Sequence, residues 1–389
     1  MREVRPAGIR PSSTFLPELE SLRGIAIALV VFFHADGLVR GPFGNSRGIW
    51  PSPLLAFVLA GHTGVSLFFI LSAFLLSIPF LAQADGGRRV SVAAFYRRRA
   101  LRILPLYWTL VVGFMVLAAR RPADLSRAVP YLAFLNSVPT WATPVPPYTN
   151  VLWSLATEAQ FYVLLPLLSV CLGSPRGRRV GLVGLLVYAV AYGAFLARAF
   201  EARPAGLRYF LRLGVFGRGP LFLMGILAAW IYRRHGVRVR AWGGWRAGVG
   251  DLALLGCVVA LGCLLRPLVF SGYEPWDEPP YFAWHLLEGA LWSAIVLLLV
   301  VAPLRLRPLL VNPVLGALGV VSYSLYLLHL PVWDVTLQMV RTAWRPPASW
   351  SPLMAAWAAG GFGLMLLLSA LTYRVIERPF LVRKATIDR

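Results

Sequence analysis

Apolar residues fill this chain in about ten long runs, parted by short stretches where Arg, Pro and Gly collect. A helix needs about 20 mostly apolar residues to cross a bilayer, because each residue advances it only about 1.5 Å. On that rule the pattern predicts helices near residues 24–39, 53–81, 101–119, 151–172, 180–197, 213–232, 247–265, 282–303, 311–340 and 353–376. The second and ninth runs are longer than a crossing requires. Tilt, a kink at Pro79 or Pro331, or interfacial ends would absorb the excess. The expected fold is all-α and polytopic, with one membrane domain over residues 16–382 and tails at 1–15 and 383–389. The longest stretch between runs, around 120–150, holds "PTWATPVPPYTN" and is too short for a core of its own. No internal repeat interrupts the pattern. A cleavable signal peptide is not expected either, since the first run lacks a small-x-small site behind it.

Composition supports the same class. Of 389 residues 58% are hydrophobic and only 14% charged, more apolar material than a soluble interior of this size would hold. The formal charge is nevertheless +22. Its carriers are arginines, apart from Lys384, set in short clusters between apolar runs and not in one dense block. That distribution suits cytoplasmic loops beside a lipid bilayer and gives no reason to expect a nucleic-acid partner. Most of the 38 basic residues fall on the side of the N-terminus, including Arg88, Arg89, Arg97–Arg99, Arg233, Arg234 and Arg238. With an even number of spans, both termini are then cytoplasmic, in a multi-pass protein of the cell membrane. One segment dissents, because Arg198, Arg203, Arg208, Arg212 and Arg218 collect on the opposite side; either it binds something anionic or the middle spans are drawn in the wrong place. Cys171, Cys257 and Cys263 lie in apolar runs and read as core thiols.

Ionisable residues inside such runs are functional candidates, because hydrocarbon penalises them. In "SLRGIAIALVVFFHAD", Arg23 and His34 are eleven residues apart, about 16 Å along a helix and about 20° from the same face. Alone, Arg23 is an ordinary positive-inside anchor. Sharing a stripe with His34, it suggests a path from the cytoplasm to a reactive centre at mid-depth. Glu158, in "NVLWSLATEAQFYVLLPLL", falls at a depth where it could meet His34, orient the ring and stabilise its charged form. A structural network with Trp153, Ser154 and Gln160 is the plainer alternative. In "FYRRRALRILPLYW", Arg98, Arg99 and Arg102 share a helix face, and guanidinium forks suit phosphate oxygens. A stop-transfer cluster would look the same on charge alone. No metal is expected, since His62, His285 and His329 lack ligand spacing.

Six segments in order resemble the acyltransferase-3 family of membrane O-acyltransferases. They are "LESLRG" leading to His34, "GVSLFFILSAFLL", "FYRRRALRILPLYW", "WSLATEAQFYVLLPLL", "SYSLYLLHLPV" and "YRVIERPFL", together spanning about residues 16–382. The resemblance implies transfer of an acyl group, often acetyl, from cytoplasmic acyl-CoA to a hydroxyl of a carbohydrate or glycosylated acceptor. Acyl-CoA would be a co-substrate, and no bound cofactor is implied. The family's Arg-x10-His element falls on Arg23 and His34, with His34 as general base or acyl carrier. Its arginine-rich element falls on Arg97, Arg98, Arg99 and Arg102, which would hold the donor. Its Trp-Ser…Glu element falls on Trp153, Ser154 and Glu158, and His329 matches a position where histidine is common. Ser66, Ala73 and Ala159 depart from the usual acidic residue, glycine and second glutamate, which touches the acceptor side more than the reaction class. The chain ends soon after "IERPF", so the hydrolase-like domain fused to some relatives is not expected in it.

A transporter of a sugar or lipid-linked intermediate is the competing class, but it predicts inverted repeats and matched broken helices. The loop "SGYEPWDEPPYF" adds aromatic and acidic side chains, with Trp276 as a stacking candidate for a sugar acceptor; an interfacial aromatic belt is the simpler reading. The charge distribution predicts that reporters fused after Arg389 and within the Arg233–Arg246 segment are cytoplasmic. One inserted at Pro144–Pro147 should be external. An external C-terminal reporter would overturn the even-span topology.

Overall fold

A computed structural model describes residues 16–41, 52–119, 121–136, 147–199, 205–270, 279–346 and 349–385. Among them every regular element is helical. In chain order these are α1 (Pro17–Arg40), α2 (Pro53–Leu59), α3 (Thr63–Ala84), α4 (Val92–Ala118), α5 (Ala128–Leu132) and α6 (Trp153–Leu164). Next come α7 (Leu167–Leu172), α8 (Pro175–Leu196), α9 (Ala205–Leu213), α10 (Val215–Arg240), α11 (Val249–Phe270) and α12 (Pro279–Val301). The last are α13 (Arg307–Leu310), α14 (Pro313–Val320), α15 (Ser322–Trp344), α16 (Pro352–Thr372) and α17 (Arg378–Ala385). Among the described residues nine helical stretches are long and apolar enough to cross a membrane. A tenth is reached if Arg307–Val320 and Ser322–Trp344, bent by 66°, form one crossing. The protein is a multi-pass membrane protein.

The two over-long runs do break, but not at their prolines. Residues 53–81 divide at Ala60–His62, and the run from 311 to 340 turns at Val321. Pro79 and Pro331 sit inside continuous helices instead. A proline removes one N–H from a helix, which neighbouring side chains and local adjustment can absorb inside a bundle. At Val321 the backbone itself leaves helical dihedrals, with φ −94° and ψ 7°.

The chain divides into two compact units. The first comprises Met1–Phe68, Trp242–Pro275 and Ala294–Arg389. Its centre is the crossing of α1 with α14, where two glycines bring the backbones together. A Cβ at Gly24 would run into the Leu315 carbonyl, and one at Gly319 into the Glu20 carbonyl. Small residues at such crossings let helices associate where no hydrophobic force separates protein from lipid. Along α15 the fully buried Trp333 donates its indole N–H to the Val31 carbonyl at 3.0 Å and packs on Trp357 of α16. Further along, Arg341 reaches the Leu38 carbonyl at 2.9 Å, and Trp350 donates to Asp36 at 2.7 Å. At the other end of α1, Arg307 pairs with Glu18 at 2.5 Å. The Trp333 and Arg341 bonds tie α15 to α1, while Trp350 and Arg307 tie the segments that flank it.

The second unit comprises Phe69–Ala241 and Trp276–Ser293. Phe222 of α10 is its hub, stacking on Phe161 of α6 and lying 4.8 Å from Phe69 of α3. Gln160 of α6 accepts from the Val215 N–H at 2.9 Å, which satisfies an orphan donor at the start of α10. Tyr107 and Trp108 of α4 donate to the carbonyls of Tyr131 and Leu132 in α5. On α8, Val180, Leu182, Val183, Leu186, Val187 and Val190 are all exposed, as a lipid-facing span requires.

The glycine crossing generates a stability test. Gly24→Ala and Gly319→Ala should each destabilise the detergent-solubilised protein by about 1–3 kcal/mol, since the obstacle is rigid backbone. Gly37→Ala, on the same helix but with no neighbour at its Cβ position, should be neutral or stabilising. Thermal unfolding curves for the three variants check this; equal melting temperatures would deny the crossing.

Candidate active site

In the first unit α1 carries both Arg23 and His34. The Arg23 guanidinium donates to Ser322 Oγ at 3.3 Å, at the first residue of α15. His34 Nδ1 lies 2.8 Å from the Val30 carbonyl. A carbonyl only accepts, so Nδ1 carries the ring proton and Nε2 keeps the lone pair. The half-buried His34 ring meets the ring of His329, with centroids 4.8 Å apart at 62°. His329 is fully buried, and its Nδ1 donates to the Tyr326 carbonyl at 2.6 Å. Phe33 closes one flank, edge-on to His34 at 5.1 Å and to His62 at 5.6 Å. Sequence reading held His34 and His329 apart as a first and a second candidate; the fold makes them neighbours. As neutral imidazoles the two share one tautomer, in which Nε2 is the nitrogen left to act as a base.

A second polar group lies beside α15 in this unit. Ser324 donates to the Glu377 carboxylate, and Thr372 donates to Ser324 Oγ at 2.9 Å. Glu377 is buried and sits in a π turn, Tyr373–Glu377, which widens the helix where α16 passes into α17. Neither Ser324 nor Glu377 stands out by charge pattern, since Glu377 is flanked by Arg374 and Arg378. Only the burial separates it from an ordinary surface acid.

Glu158 belongs to the second unit. Its Oε1 accepts from Ser72 of α3 and, at 2.5 Å, from Tyr162 one turn further along α6. Two hydroxyl donors on one oxygen lower the cost of a buried carboxylate. The arginine helix joins the same polar group. Arg99 lies within electrostatic reach of Tyr162 and Glu158 as well as Arg98 and Arg102. Arg98, Arg99 and Arg102 are half-buried, whereas Arg97 is exposed. The structure thus sets Arg99, one of the four predicted donor arginines, within electrostatic reach of the predicted carboxylate, with Arg98 and Arg102 near Arg99.

Trp153 and Ser154 open α6. Ser154 is buried and donates to the Val151 carbonyl at 3.0 Å. The Trp153 ring is covered by the Arg218 guanidinium at 5.0 Å and met edge-on by Phe69. Arg218 in turn heads a chain that sequence reading missed. Its Nη1 donates to His285 Nε2 at 2.5 Å, and His285 Nδ1 donates to Glu288 at 3.1 Å. All three are buried. The His-x-x-Glu spacing inside the apolar run 282–303 was the available signal, because it sets two ionisable groups on one helix face. Arg218 and Arg212, counted among the dissenting loop charges, are both buried in the protein. Trp276 and its loop, residues 271–278, lie outside the described residues. Among the described residues no group of three His, Cys, Asp or Glu side chains could hold a metal ion.

Comparison with known proteins gives these groups a context. Residues 16–374 match a family of acyltransferase domains, Acyl_transf_3. A protein of Komagataeibacter xylinus provisionally named membrane-bound transacylase BcsY is 26% identical over 378 residues, covering 93% of this chain and 82% of that one. Peptidoglycan O-acetyltransferase OatA of Listeria monocytogenes is 23% identical over 390 residues, or 95% of this chain and 56% of its own. A provisionally named O-acetyltransferase of Staphylococcus aureus strain COL is 22% identical over 384 residues and is covered to 57%. The chain spans somewhat more than half the length of the O-acetyltransferases it matches. No solved structure is significantly similar.

The buried Arg218–His285–Glu288 chain predicts a non-additive stability pattern. Glu288→Ala removes the carboxylate that accepts from the buried His285 and should cost about 3–5 kcal/mol, whereas the joint change of all three to Met, Leu and Leu should cost less. Thermal unfolding in detergent measures both; a triple variant less stable than the single one would contradict it.

Proposed function

We propose that this chain, which belongs to the acyltransferase-3 family of membrane acyltransferases, moves an acyl group from cytoplasmic acyl-CoA to a hydroxyl of a carbohydrate or glycosylated acceptor. Acetyl is the group that the relatives' names favour. The observation that carries the reading is His34: an intramembrane imidazole whose Nδ1–H is tied to the Val30 carbonyl, so that Nε2 keeps a lone pair. A base with that tautomer can take the proton of an acceptor hydroxyl or attack a thioester carbonyl. Arg23 lies on the same helix and anchors it to Ser322, which supports its role in holding His34 at working depth.

Donor and acceptor are read from different groups. Acyl-CoA presents several phosphate charges, and Arg98, Arg99 and Arg102 supply planar cationic forks from one half-buried cluster. Glu158 stands within electrostatic reach of Arg99 and would keep the forks oriented through its ties to Ser72 and Tyr162. Arg97, exposed, would act at longer range. Trp153, Ser154, His329 and the loop carrying Trp276 are assigned to the acceptor side. The carbohydrate class rests on the peptidoglycan named for one relative and on the stacking chemistry of Trp276. The enzyme would work from the cell membrane without a bound cofactor.

Two measurements test the reading together. His34→Ala should lower acyl transfer by about 10²–10⁴-fold while leaving membrane insertion intact. Alanine at Arg98, Arg99 and Arg102 should weaken apparent acetyl-CoA affinity, each lost contact costing about 1.5–3 kcal/mol, and more at low salt than at high. Full transfer by the His34 variant, or unchanged donor affinity in the triple arginine variant, would refute the corresponding assignment.

A further inference from the structure

His34 and His329 are alike in chemistry and unlike in access. Each gives its Nδ1 proton to a main-chain carbonyl, of Val30 and of Tyr326, and each keeps a lone pair on Nε2. The His34 ring is half-buried. His329 has no exposed surface, and among the described residues its buried Nε2 meets no donor. An acceptor left in that state is destabilising, and groups are kept so where a reaction supplies the donor. The rings touch at 4.8 Å between centroids. An acyl group is bulky and can reach only the open ring. A proton needs almost no room and can reach the buried one.

The geometry points to a division of labour in which His34 carries the acyl group and His329 is the base that activates the acceptor. This rests on the acyl-transfer reading above and commits it to a two-step course. In the first step His34 Nε2 attacks the thioester carbonyl carbon, the C–S bond breaks, and CoA leaves as the thiolate. The resulting acyl-imidazolium keeps its Nδ1–H on the Val30 carbonyl. In the second step the acceptor hydroxyl oxygen attacks the acyl carbon while its proton passes to His329 Nε2. The C–N bond breaks, its electron pair returns to His34 Nε2, and the ester is released. His329 then loses its proton to the CoA thiolate, so that thioester and alcohol have become ester and thiol. Positive charge moves from one ring to the other and never occupies both, as two adjacent imidazoles require.

Isotope exchange between acetyl-CoA and labelled CoA reads the first step without any acceptor. The purified full chain should catalyse the exchange and should hold a base-labile acetyl label after quenching. His329→Gln should retain the exchange within a few-fold and accumulate close to one acetyl group per chain. It should lose transfer to membrane glycan by about 10²–10⁴-fold, the worth of a positioned base. Hydroxylamine, which attacks without a base, should discharge the trapped label as acetohydroxamate. His34→Gln should lose exchange and label together. If wild-type membranes esterify glycan from labelled acetyl-CoA while the pure protein shows neither exchange nor label, the division of labour is wrong and the acyl-transfer reading stands. Transfer at the wild-type rate by His329→Gln has the same meaning. If the membranes form no base-labile ester at all, the acyl-transfer reading itself fails.

Discussion

Hydrocarbon offers no water to a polar side chain, and every feature of interest here answers that constraint. A carboxylate, imidazole or guanidinium inside a span must find its partners in the protein. Glu158 finds Ser72 and Tyr162, Glu377 finds Ser324, and Arg218 finds His285 and, through it, Glu288. His34 and His329 each spend one ring nitrogen on a main-chain carbonyl. These bonds lower the cost of the ionisable groups and at the same time set their tautomers and directions. Burial and chemistry are therefore the same problem. What stands out is His329 Nε2, which meets no donor among the described residues on a ring that has no surface.

Within the first unit the imidazole pair depends on backbone contact. Gly24 and Gly319 let α14 lie against α1, and the Trp333 indole bonds α15 to the Val31 carbonyl one turn before His34. α15 is thereby brought alongside α1 with His329 facing it. The turn at Val321 starts α15 beside Arg23, whose guanidinium reaches Ser322. Two bonds and two missing side chains thus arrange a pair of rings nearly three hundred residues apart in sequence. The second unit uses aromatic packing for the same purpose. Phe222 brings α6 against α10, and α6 carries Glu158.

The membrane class, the helical content and the approximate spans were legible because a bilayer reads mean hydropathy over about 20 residues, a property of local sequence. The candidate residues were legible for a related reason: Arg23, His34 and Glu158 are rare where they stand, and rarity in hydrocarbon is visible without a fold. Breaks were not. Proline was the local signal available, yet the chain bends at Val321 and breaks between α2 and α3 at Ala60–His62, where the sequence carries little mark. Arg218 was misplaced as a loop charge for the same reason. Its neighbours in the fold include His285 of α12 and the Trp153 ring of α6, which lie far from it in sequence.

By itself, then, the sequence determined that this is a helical membrane protein and which polar groups hydrocarbon would penalise, since both follow from composition within single turns and spans. Which of those groups share a site is a matter of helix–helix contact at long range. The tertiary structure alone decided that Glu158 stands with Arg99 and Tyr162, and that His34 faces His329. No periodicity within one helix encodes a neighbour on another, because that choice is made by the side chains, or glycines, that let two backbones approach.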